Sequence, residues 1–142
     1  MVDMLKNNIA PTDIVVLELA NFQLIDLKHS PQIAVCLMVA PEHLNWHSGM
    51  DEYISTKQQL FKYQKTGDLA VYNRANSYSE QVVYISIAKK LSYEVPPHHS
   101  SPLQETDAYV KGNSIYMGEE HVCDVGDVKL LGRHNLENVC AA

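Results

Sequence analysis

The chain has 142 residues, 46% hydrophobic and 20% charged, a globular balance that excludes disorder and fibrous repeats and suits one domain burying roughly 68% of its unfolded surface. Seventeen acidic residues against eleven scattered basic ones give a net charge of −6, which excludes a nucleic-acid surface because that needs clustered Lys and Arg. No apolar run approaches the ~18 residues of a membrane span, and Met1 to Ala10 lacks the charged-then-apolar pattern of a signal peptide, so a cytoplasmic protein with no membrane partner is expected.

In chain order, Asp13 to Leu19 is a short, β-branched, nearly continuous apolar run, as is Gln32 to Val39, and each reads as a strand of a parallel sheet covered on both faces. Phe22, Leu24, Ile25 and Leu27 between them fit one or two helical turns closed by Lys28 to Pro31. Met50 to Gln64 repeats apolar residues at helical spacing, Leu69 to Asn73 reads as a third strand, Ser77 to Lys90 as a second amphipathic helix, and Leu91 to Val95 as a further short strand. Pro96 to Pro102 is a loop by its prolines. Polar and apolar residues then alternate in Asp107 to Lys111, Ser114 to Met117 and Glu120 to Asp124, joined by Gly112-Asn113 and Gly118-Glu119, which predicts an antiparallel meander over 107–124. Asn135 to Ala142 reads as a helix. The alternation predicts an α/β class with a three-layer, mostly parallel sheet flanked by helices. Cys36, Cys123 and Cys140 form no C-x-x-C pair and read as reduced thiols acting as small core hydrophobes.

A few residues carry chemical interest. Glu18 sits in an apolar strand-like run, where an ionised carboxylate costs several kcal/mol without a metal, cation or hydrogen bonds to compensate; the plain alternative is a strand-end carboxylate meeting solvent at the carboxyl edge of the sheet. His43 and His47, four apart, have the spacing of two ligands on one metal, or are loop histidines packed on Trp46. Lys57, among Ile54, Leu60 and Phe61, is either a surface lysine lying along an amphipathic helix or a desolvated amine able to form a carbamate with carbon dioxide and so ligate a metal through oxygen. Asn135 and Asn138 suit helix capping and purine recognition equally. His98-His99 reads as a loop pair, and Glu119, Glu120, Asp124 and Asp127 as a solvated face of the hairpins.

The order of these pieces resembles the ATP-using central domain of the Mur ligases, most closely the branch that adds D-glutamate. Leu17-Glu-Leu-Ala-Asn-Phe-Gln-Leu24, Pro41-Glu-His-Leu-Asn45, Tyr53-Ile-Ser-Thr-Lys57 and Gly132-Arg-His-Asn-Leu-Glu-Asn138 are similar, respectively, to that branch's L-E-[LV]-S-S-F-Q-L, x-[ED]-D-H-[LM]-D, Y-x-x-A-K and G-x-H-N-x-x-N. The resemblance implies magnesium ligation by Glu18 and His43 and a carbamylated Lys57 beside them, with His43 and Lys57 in the catalytic centre. It further implies that Gln23 faces the nucleotide substrate, that Asn135 and Asn138 contact the adenine of ATP, and that UDP-N-acetylmuramoyl-L-alanine and D-glutamate are the parent enzyme's partners. Ala20-Asn21 stands where the branch has paired serines, Asn45 where it has aspartate, and Asn73-Arg-Ala-Asn76 where it has N-A-D-D.

No G-x-x-x-x-G-K-[ST] phosphate loop occurs in the sequence, although its amides and lysine are what would hold the phosphates of ATP. Residues 1–142 therefore read as a partial central domain, inactive alone, with a non-catalytic binding or assembly module as the alternative and a metal hydrolase built on Glu18, His43 and His47 as a third. In the family the phosphate-loop strand lies inside the sheet. Its absence predicts an unpaired neighbouring strand, Asp13 to Leu19, and a homodimer across that edge or through exchange of Met1 to Ala10.

Overall fold

The computed structural model describes residues 9–41, 49–97, 102 and 106–142. A six-stranded mixed sheet runs in sequence order through β1 (Ile33–Cys36), β2 (Leu69–Asn73), β3 (Lys89–Glu94), β4 (Ala108–Lys111), β5 (Ser114–Met117) and β6 (Glu120–Asp124). The first four strands are parallel, with Ile33 opposite Leu69, Leu69 opposite Lys89 and Tyr93 opposite Ala108. The meander is continuous with this sheet, since β4 joins β3 in parallel and only the β4–β5 and β5–β6 pairings are antiparallel. Gly112 and Gly118 turn its two hairpins at φ of 63° and 59°, a left-handed conformation that tight hairpins require and glycine adopts without strain.

Helices α1 (Asn21–Leu24), α2 (Met50–Gln58), α3 (Ser77–Val83) and α4 (Arg133–Ala141) complete the chain. On one face of the sheet Ala34, Cys36, Ala70 and Tyr72 pack with Tyr53 and Ile54 of α2, Val82 and Val83 of α3, and Phe61, which is 1% exposed. On the other, Tyr93, Val95 and Ile115 pack with Val71, Val110, Leu136 and Cys140 beneath α4. The expected three layers are therefore present, and side-chain alternation along β2 sends Ala70 and Tyr72 to one core and Val71 to the other.

Four expectations need correction. Asp13 to Leu19 forms no strand: Ile14 and Val16 are 89% and 85% exposed. A β-branched run becomes a strand only where a neighbour takes its backbone groups, and among the described residues β1 pairs with β2 alone. Among the described residues the run is tied only at its start, where the Asp13 N–H donates to the Ala10 carbonyl at 3.0 Å and the Asp13 carboxylate accepts from the Ala10 N–H at 2.8 Å. Second, the helix expected over Met50 to Gln64 ends at Gln58 and continues as turns, although Phe61 keeps its core position. Third, the helix expected over Ser77 to Lys90 stops at Val83, and Lys89 and Lys90 open β3. Tertiary pairing outweighs helical periodicity there, because the Lys89 N–H donates to the Asp68 carbonyl, which sets the β3 register. Both faces of β1 were expected to be covered, yet Ile33 is 60% exposed, since α4 packs on β2, β3 and β4.

Met1 to Asn8, the segment of His43 and His47, and the His98-His99 pair lie outside the described residues. Among the described residues no helix is long and apolar enough to cross a membrane.

Candidate functional site at the carboxyl edge of the sheet

The parallel strands β1, β2 and β3 end together at Cys36, Asn73 and Glu94, and in open α/β sheets this edge is where ligands bind. A web of buried polar bonds organises it. Ser79, fully buried near the start of α3, donates its hydroxyl to the Cys36 carbonyl at 2.9 Å and accepts the Asn73 N–H at 3.1 Å, so one oxygen joins the ends of β1 and β2. Asn76 caps α3 by accepting the Ser79 N–H at 2.8 Å, as expected of an N-cap amide. Its amide also grips Val39 from both sides, donating to the carbonyl at 3.0 Å and accepting from the N–H at 3.3 Å. An amide both donates and accepts whereas an ionised carboxylate only accepts, which gives physical content to asparagine at a position where the resembling motif has aspartate.

Lys57 lies in the last turn of α2, half-buried, with Nζ 4.8 Å from the centre of the Tyr53 ring. Tyr53 packs in one core with Cys36, so α2 brings the amine toward the carboxyl end of β1. Burial pushes the Cys36 thiol up, partly opposed by the Ser79 hydrogen bond and then by Lys57. Lys57, half-buried, is thus not a fully solvated surface lysine: its ammonium lies over an aromatic face.

Glu18 and Gln23 are exposed. Glu18 was expected within a strand but lies in the irregular segment before α1. The Gln23 side-chain oxygen accepts the Ala20 N–H at 2.8 Å, so it closes the α1 turn. Among the described residues no group of three or more His, Cys, Asp or Glu is placed to hold a metal ion, and His43 is outside them.

At the opposite flank α4 starts after Gly132, at φ 97°, so Asn135 lies inside the helix and does not cap it. The Asn135 amide donates to the Leu131 carbonyl at 2.7 Å, and the Asn138 amide donates to the Asn135 oxygen at 3.4 Å. The two side chains thus stand side by side near the helix start.

The sequence reading missed what fastens this helix down. Arg133 donates through Nη1 to the Pro96 carbonyl at 3.0 Å and through Nη2 to the Val95 carbonyl, just beyond β3. Its Nε lies 3.8 Å from Glu137, whose other oxygen accepts from the Asn73 amide at 3.4 Å. Tyr93, 1% exposed, lies beneath; among the described residues its hydroxyl meets no partner within hydrogen-bond geometry, although the Asn73 side chain is beside it. Burial first pushes the pKa of its hydroxyl up, and the Glu137 charge adds to the rise. The i, i+4 spacing of Arg133 and Glu137 was the available signal; the partners came only with the fold.

An α/β sheet whose parallel strands end in a polar carboxyl edge is a frame on which proteins of this class place a ligand site. Residues 2–142 match the Mur ligase middle domain, and the chain belongs to that family. It is 35% identical over 134 residues, 94% of this chain, to UDP-N-acetylmuramoylalanine--D-glutamate ligase of Clostridium kluyveri, and 38% identical over 130 residues, 92% of this chain, to the ligase of the same name from Clostridium novyi. It spans 28% and 27% of those relatives' lengths. The crystal structure of MurF from Acinetobacter baumannii matches 79% of this chain and 24% of its own with a TM-score of 0.58 at 14% identity, a likeness of fold.

Proposed function

We propose that the chain is the central, ATP-using part of a cytoplasmic ligase that adds D-glutamate to UDP-N-acetylmuramoyl-L-alanine in peptidoglycan precursor synthesis. The observation that carries this reading is identity of 35–38% across more than nine-tenths of the chain to ligases of that name. In this reading Asn135 and Asn138 hold adenine, Gln23 faces the muramoyl substrate, Glu18 and His43 ligate magnesium, and His43 and Lys57 belong to the catalytic centre, Lys57 as a carbamate.

The residues fit such a site in part. Adjacent amides on α4 suit a purine edge, and a half-buried lysine beside the carboxyl end of β1 suits a carbamate. The sequence supplies no phosphate loop, so it leaves the phosphates without a cradle and the chain alone is inactive. In the complete enzyme a substrate carboxylate accepts the γ-phosphoryl group of ATP; the amine of D-glutamate then attacks that carbonyl, forming the C–N bond as phosphate leaves. Magnesium, when bound, neutralises charge on the transferred group.

Replacing the matching stretch of the Clostridium kluyveri relative with this chain tests the reading. A folded chimera should release phosphate only when ATP, UDP-N-acetylmuramoyl-L-alanine and D-glutamate are all present, and lose that activity in Lys57→Ala. A folded chimera without turnover would overturn it. The isolated chain should bind magnesium-ATP no more tightly than about millimolar by calorimetry, because the charge-assisted phosphate contacts are missing.

The homodimer is proposed at a different edge from the one expected. With Asp13 to Leu19 outside the sheet, β1 is an edge strand among the described residues, and its Ile33 is exposed. A second copy pairing there would satisfy its backbone groups. Light scattering that returned a 16.0 kDa monomer at micromolar concentration would exclude this assembly.

A further inference from the structure

We propose that Arg133 and Glu137 are positioning residues for purine recognition, forming with Asn73 a clamp that fixes the roll of α4 so that Asn135 and Asn138 face the base. The inference rests on the adenine reading given above and adds the device that makes those amides selective.

At 3.6 residues per turn, Arg133 and Glu137 lie about 40° apart around α4, and Asn135 and Asn138 about 60° apart on nearly the opposite side. One face is therefore a fastening and the other a display. The helix has nine residues and its N-cap, Gly132, supplies no side-chain bond. So short a helix is marginal by itself and takes its orientation from what it packs on. Leu136 and Cys140 give it apolar contact, but apolar contact is non-directional and allows roll. Direction comes from the bonds to the Val95 and Pro96 carbonyls, the Arg133–Glu137 contact and the Asn73–Glu137 bond. These link α4 to the ends of both β2 and β3.

The guanidinium is suited to this task because its planar fork reaches two carbonyls while a third N–H faces the carboxylate, which a lysine ammonium cannot reproduce. Asn73 is itself held, its side-chain oxygen accepting the Ala75 N–H at 3.0 Å. A rotation of α4 by a fraction of a turn would carry the two amides off a bound purine edge, while leaving the apolar contacts largely intact.

The test is base selectivity measured on this chain by saturation-transfer NMR with adenosine and inosine at millimolar concentration. Inosine replaces the exocyclic amine by a carbonyl, so aligned amides should favour adenosine by about tenfold, as one good amide–adenine pair does elsewhere. Arg133→Met and Glu137→Gln should each bring the ratio close to one, and the double variant should do no worse than either single. A merely structural role would lower the folded fraction and both affinities together, leaving the ratio unchanged; an unchanged ratio in the folded variants therefore overturns the proposal. If the natural chain shows no preference for adenosine, the adenine reading fails. The clamp is still decided by the side-chain NH₂ resonances of Asn135 and Asn138, which must shift in both variants if it holds and stay fixed if it does not. Should Arg133→Met not fold, Glu137→Gln, which keeps an oxygen for Asn73, decides alone.

Discussion

Removing a single oxygen atom at Ser79 should destabilise this protein more than its size suggests. In Ser79→Ala the Asn73 N–H loses its acceptor at 3.1 Å and the Cys36 carbonyl its donor at 2.9 Å, at a site with no solvent exposure to replace them. A buried backbone group left without a partner costs about 1–3 kcal/mol. Asn73 has the single N–H, whereas the Cys36 carbonyl has a second lone pair, so the expected total is about 2–4 kcal/mol. Against a domain stability of about 5–15 kcal/mol this is a large fraction. Urea unfolding followed by circular dichroism should show the loss as a lower midpoint at unchanged slope. The matched control is Ser114→Ala, which removes an exposed bond to Asp124 and should cost at most about 0.5 kcal/mol. A loss below about 1 kcal/mol in Ser79→Ala would show that water or a backbone shift satisfies these groups, and would refute Ser79 as the clasp between β1 and β2.

Three further outcomes follow from the same geometry. Asn76→Asp keeps the cap on Ser79 but cannot donate to the Val39 carbonyl, so it should cost about 1–2 kcal/mol in the same unfolding assay. Burial, followed by Cys123 and Glu137, pushes the Cys140 thiol up from 9.0 to about 11. In that window the unfolded chain releases a proton that the folded one keeps, so stability falls as pH rises from 9.0 to about 11, and Cys140→Ala should make this alkaline decline shallower. Bonds from Ser114 and then His121 hold the Asp124 carboxyl below 3.8. Its contribution is present above 3.8 and lost as pH falls through the depressed value, so Ser114→Ala should return the carboxyl toward 3.8 in an NMR titration.

Local chemistry made much of this protein legible from its sequence. Leu69 to Asn73 and the three strands after Pro102 stand where period-two patterning and the Gly112 and Gly118 turns put them, because hairpins depend on neighbours only a few residues away. The helical turn at Asn21–Leu24 and the helix at the carboxyl end are likewise local. The motifs around Glu18, Lys57 and Asn135 pointed to the family that the chain belongs to. Periodicity could not decide what pairing decides. Asp13 to Leu19 has strand composition without a strand beside it among the described residues, and Lys89-Lys90 continues a helical pattern yet opens β3 because the Asp68 carbonyl takes the Lys89 N–H. Nor could composition show that Asn76 holds Val39, that Ser79 joins Cys36 to Asn73, or that Arg133 and Glu137 fasten a helix to the ends of two strands. Those bonds connect residues up to 64 positions apart. Donor and acceptor chemistry is written in the sequence, but which donor meets which acceptor depends on the sheet order and register, and these exist only once the chain has folded.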